Sequence, residues 1–114
     1  MDRQQLRFSF EDCLPADAAI LAQDLEQQFR EAAPSATVKL EKVREDSQDF
    51  GTTVVLVFGT PVAIALARGT ATFLQRHSGA SISITTPSGE IVARNLDSRD
   101  AARIAEAFGV KRSR

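Results

Sequence analysis

Two residue types often used for acid–base or nucleophilic chemistry occur once each in this sequence, histidine at His77 and cysteine at Cys13. A catalytic histidine needs a carboxylate to orient it or a nucleophile to deprotonate, and its sequence neighbours supply neither. His77 follows Arg76 near the end of an expected helix, where an imidazolium is favoured by the carbonyl end of the dipole, so the ring reads as structural or solvent-exposed. Cys13 precedes Leu14-Pro15 at a helix entry, a place that lowers a thiol pKa. It has no second cysteine to pair with and no motif around it, so it reads as a packed thiol.

Two further groupings invite a ligand. Val57-Phe58-Gly59-Thr60-Pro61 has the order strand, loop, helix start, which exposes backbone N–H groups to an anion. It lacks the spaced glycines and the Lys-Ser/Thr pair of a phosphate-binding loop. The carboxylates Glu41, Glu45, Asp46 and Asp49 alternate with Lys42 and Arg44 and have no Gly-centred calcium loop, the pattern of a solvated acidic loop. A structural zinc site with one Cys and one His would have to recruit two or more carboxylates. The expectation is therefore no catalytic residue, no cofactor and no metal ligand, in a chain that is not an enzyme.

The elements that would hold these residues are well punctuated. Leu6, Phe8 and Phe10 alternate with Arg7 and Ser9, a half-buried strand over Leu6–Phe10. Pro15 suits the first turn of a helix, Asp17 favours its positive end, and Leu21, Leu25 and Phe29 recur at four-residue spacing up to Pro34, predicting a helix over Pro15–Ala32. Val38 and Leu40 alternate with Lys39 and Glu41 in a strand over Thr37–Val43. Ala80–Thr86 and Ile91–Arg94 flank a turn at Pro87-Ser88-Gly89-Glu90 and read as a hairpin. Asp97 or Ser98 then caps a helix over Ala101–Phe108, closed by Gly109.

The middle of the chain is unusual. From Phe50 to Ala67 there is no charged side chain. Thr52 to Phe58 is β-branched and favours a strand, yet a short apolar run does not separate strand from buried helix by periodicity. After Gly59, Thr60 is placed as an N-cap and Pro61 as the first residue of a helix over Pro61–His77. Its polar residues Arg68, Thr72, Gln75 and Arg76 fall in one narrow stripe, so most of the cylinder must be covered. Ile64, Leu66 and Phe73 are accordingly candidates for an interface surface, in a homo-oligomer or against a partner. A membrane span needs about 20 apolar residues, and this run of about 18 is interrupted by two Gly, three Thr and a Pro. A membrane-associating component remains an alternative, and so does a small ligand-binding domain or enzyme using the Gly59-Thr60 helix start.

The whole is expected to be a single α+β domain over residues 1–110, a mainly antiparallel sheet of about four strands covered by three helices, with a basic frayed tail at 111–114. With 14 Lys+Arg against 15 Asp+Glu the net charge is −1, which argues against a nucleic-acid partner held by bulk electrostatics. At 43% hydrophobic and 25% charged the chain has a globular composition, not that of a disordered or fibrous one. Asp2, Arg3, Gln4 and Gln5 lead into alternation rather than a continuous apolar segment, so no signal peptide is read and a cytoplasmic location is expected.

The order of these elements, with Asp49-Phe50-Gly51 leading into the apolar run, Phe73-Leu74-Gln75-Arg76-His77 ending it, and Ile82-Ser83-Ile84-Thr85 and Pro87-Ser88-Gly89-Glu90-Ile91-Val92 following, resembles the effector-associated constant component family of bacterial conflict systems. The resemblance runs from about Leu6 to Phe108. The chain departs from such members in carrying Thr52–Phe58 where they have a more helical Ala- and Leu-rich stretch, and Phe73 where a Trp is common. It implies a non-enzymatic adaptor or regulatory component of antiphage immunity, working beside a separate effector protein encoded nearby, and it transfers no catalytic residue.

Overall fold

The computed structural model describes residues 3–11, 14–45, 48–77, 79–87, 89–93 and 98–109. Strand β1 (Arg3–Glu11) is followed by helix α1 (Pro15–Ala32), strands β2 (Thr37–Glu45) and β3 (Gln48–Gly59), a 3₁₀ turn at Thr60–Val62, helix α2 (Ala63–Arg76), strands β4 (Ser81–Thr86) and β5 (Gly89–Ala93), and helix α3 (Ser98–Ala107). The five strands form one sheet in the order β2-β3-β1-β4-β5, and every neighbouring pair is antiparallel. In both β1-α1-β2 and β3-α2-β4 another strand separates the two that the helix joins. The first four strands and two helices thus form the split βαβ, ferredoxin-like arrangement, to which β5 and α3 add one more strand and one more helix.

The fold is the expected α+β class, with five strands where about four were expected. The additional strand is β3, the run from Thr52 to Phe58 whose state the sequence left open. In the sheet it lies between β2 and β1, where Val54 and Leu56 are fully buried and Phe58 nearly so. β-branched residues suit this pleated, covered position, and neighbouring strands satisfy its backbone on both sides.

All three helices lie on one side. Leu6 and Phe8 of β1, Val54, Leu56 and Phe58 of β3 and Ile82 and Ile84 of β4 point into one core with Leu25 and Phe29 of α1, Leu66 and Phe73 of α2 and Ile104 of α3. Phe108, just past α3, closes the cluster. Its ring centroid lies 5.3 Å from that of Phe58, 6.0 Å from Phe8 and 6.5 Å from Phe29. Gly109 follows with φ +76°, a conformation that glycine adopts without penalty and that ends the helix there.

The start of α2 differs from expectation. Thr60 does not cap the helix: Thr60–Val62 form the 3₁₀ turn, the helix begins at Ala63, and neither Gly59 nor Val62 makes a side-chain capping bond. Pro61 explains the shift, since its ring favours a first turn but donates no N–H, and the 3₁₀ turn satisfies the nearby carbonyl through Ala63 N–H to Thr60 O. The expected capping residue Asp97, the Ser98 side chain and the tail 111–114 lie outside what is described.

Candidate functional site

Among the described residues, two surfaces gather polar side chains around a hollow. The first is the seam between α1 and α2. Gly69 of α2 lets the helices approach closely: a Cβ there would stand 3.4 Å from Ala32 Cβ and 3.6 Å from Gln28 Cγ. Farther along, Arg76 Nη1 donates to Gln28 Oε1 at 3.3 Å, and His77 Nε2 lies 3.0 Å from Asp24 Oδ2. The His77 ring also packs on Phe73, centroid to centroid 4.6 Å. No carboxylate lies near His77 along the chain. The fold supplies one from another helix, a residue that only the pairing of α1 with α2 could reveal.

A histidine oriented by an aspartate is half of an acid–base device. The hollow beside it measures about 100 Å³, and its wall consists of Asp24, Gln27, Gln28, Glu31, Phe73, Arg76 and His77, with no hydroxyl or thiol. Ligand pockets are commonly about 300–1,000 Å³. As built, the pair ties the end of α2 to α1.

The second surface is the sheet face away from the helices. Along β1, Leu6 and Phe8 point inward while Arg3, Gln5 and Arg7 are exposed. Cross-strand register extends this alternation over the sheet. One row reads Lys39, Val55, Arg7, Thr85, Glu90 from β2 to β5, and a neighbouring one reads Thr37, Val57, Gln5. Arg7 Nη1 donates to Glu41 Oε1 at 3.0 Å, and the Ser83 hydroxyl donates to the Glu90 carboxylate. Val55 is only 6% exposed although no described element packs above it, because the stems of Lys39 and Arg7 flank it in its row. A broad hollow of about 420 Å³ lies here, floored by Val55 and Val57 and bordered by Arg3, Arg7 and Lys39.

The residues singled out in the sequence fall as follows. Of the three interface candidates, only Ile64 reaches the surface, at 54% exposure. Leu66 and Phe73 are 0% and 1% exposed and belong to the chain's own core, a correction to their reading as interface residues. The physical reason is that α2 is enclosed by the sheet, α1 and α3 over most of its circumference, and Ile64 shares the exposed stripe of Arg68, Thr72 and Gln75. Leu14 and Ile20 of the α1 region are also exposed. Cys13 and Asp46 lie outside the described residues. Glu41 is engaged by Arg7, and Asp49 stands opposite Arg44 in the β2–β3 register. Among the described residues no three His, Cys, Asp or Glu side chains are grouped to hold a metal ion, and no helix is long and apolar enough to cross a membrane.

No protein-family model matches the chain, and no curated protein matches it. Among solved structures the chain is similar to part of a hydantoinase/carbamoylase family amidase from Burkholderia ambifaria, at 20% identity and a TM-score of 0.36 over 94% of this chain. The match spans 32% of that amidase.

Proposed function

We propose that the chain is a non-enzymatic adaptor, a regulatory interaction component of a prokaryotic conflict system that binds a separate effector protein. The observation that carries the reading is the sheet face over which no described element packs. Val55 lies between Lys39 and Arg7, Thr85 between Arg7 and Glu90, and Val57 in the next row between Thr37 and Gln5, so small residues are set among long polar and charged ones on a broad, open face of the kind that macromolecular recognition uses. The order of elements that resembles the effector-associated family supports the same reading.

The functional surface is accordingly the sheet face rather than the apolar helix. Co-expression with the protein encoded by the adjacent gene tests it. The wild-type chain and Ile64→Glu are expected to retain that protein on an affinity column, and Val57→Glu in a folded chain is expected to release it. Retention by Val57→Glu together with loss by Ile64→Glu would move the surface to α2.

A second reading, acid–base chemistry, is favoured by one observation, the His77–Asp24 pair. His77→Ala separates the two: a folded variant with full biological activity leaves the adaptor, and a folded inactive one favours the enzyme.

A further inference from the structure

The two edges of the sheet are built differently. The β2 edge carries Lys39, Glu41, Lys42 and Arg44 in one strand and shifts register between Lys42 and Arg44. Charges and bulges of this kind keep an edge strand from pairing with another chain. β5, at the other edge, pairs with β4 in unbroken register from Gly89 to Ala93 and reads Gly-Glu-Ile-Val-Ala, with no Lys, Arg or Pro. Ile91 and Val92 are half-buried, and no described strand lies beyond them. With Glu90 its one charged residue and no bulge, this edge is more open to a further strand than the β2 edge.

We infer that β5 is a self-association edge, on which a second copy lays its own β5 antiparallel about a two-fold axis through Ile91, joining two five-stranded sheets into one. The strand complements itself in this register. Ile91, which packs on the rim of the core, meets its symmetry mate on the helix-bearing face, and Glu90 falls opposite Val92 on the other face, so no like charges are opposed. The backbone agrees. Two residues separate the partners Thr86 and Gly89, and the closing pair of a two-residue hairpin is the hydrogen-bonded kind, from which bonded pairs alternate along an antiparallel ladder. Ile91 therefore bonds inward to Ile84, while Glu90 and Val92 direct their N–H and C=O groups outward, where a Glu90–Val92 pair across the axis satisfies them. A two-fold interface of this sort is self-complementary by construction. The inference goes beyond the adaptor reading and stands whether or not an effector binds.

Sedimentation equilibrium of the full chain over a wide concentration range tests it through the sign of one charge. The wild-type chain is expected to dimerise. Val92→Glu sets Glu against Glu90 twice per dimer and is expected to weaken dimerisation about tenfold. Val92→Lys sets opposite charges together and is expected to keep or tighten the dimer, and Glu90→Lys combined with Val92→Glu to restore it. In the wild-type chain the Glu90 and Val92 amides are expected to exchange more slowly as concentration rises, which reads the same edge without any substitution. A wild-type chain that stays monomeric overturns the inference. So does a dimer on which Val92→Glu and Val92→Lys act alike, or one whose Glu90 and Val92 amides ignore concentration.

Discussion

His77 Nε2 stands 3.0 Å from Asp24 Oδ2, so the end of α2 is held to α1 by a contact between two residues that the sequence places in separate helices. The two side chains are 27% and 54% exposed, and a polar contact in such a setting contributes no more than about 1 kcal/mol. Asp24→Asn and His77→Ala are each expected to lower stability by no more than about 1 kcal/mol in urea unfolding. Biological activity is expected to stay within a few-fold of wild type for both.

The helix seam allows a stabilising change. Gly69 lies inside α2, where glycine costs about 1 kcal/mol relative to alanine, and its added Cβ would meet Ala32 Cβ at ordinary contact distance. Gly69→Ala is expected to raise the melting temperature. Gly69→Leu overfills the same seam and is expected to lower stability by about 1–3 kcal/mol. A fall in melting temperature for the alanine variant would show that the α1–α2 seam has no room for a methyl group at position 69.

Phe108 ties the last helix to the sheet through Phe8 and Phe58 and to α1 through Phe29. Phe108→Ala leaves a cavity among three rings and is expected to cost about 3–5 kcal/mol, measured by denaturant unfolding. A cost under about 1 kcal/mol would mean that α3 does not contribute to the core.

The two faces of α2 are expected to respond oppositely to charge. Ile64→Glu places a carboxylate in water and is expected to change stability by less than about 0.5 kcal/mol. Leu66→Glu and Phe73→Glu place it in the core, where burying a charge without a partner is costly, and are expected to unfold the chain, seen as loss of cooperative melting.

These contrasts show which parts of the structure the sequence made legible. α1 could be bounded from Pro15 to Ala32 because Pro, an acidic first turn and four-residue spacing all agree. β3 could not be assigned, since Thr52 to Phe58 is short and lacks polar–apolar alternation, and what makes it a strand is its place between β2 and β1. The same limit affected α2. Its apolar residues suggested a surface to hide, but only the packed layer shows that Leu66 and Phe73 are already hidden. Arg3, Gln5 and Arg7 could be read as the wet side of β1, whereas the row joining Lys39, Val55, Arg7, Thr85 and Glu90 depends on strand order, which alternation within one strand does not contain.

The sheet face over which no described element packs is the proposed binding surface, and the most direct measurement is calorimetric titration of the chain with the protein encoded beside it. The account expects binding by the wild-type chain and by His77→Ala, and at least tenfold weaker binding by a folded Val57→Glu chain, whose new charge lies between Thr37 and Gln5 on that face. Undiminished binding by Val57→Glu, or no binding by the wild-type chain, would contradict it.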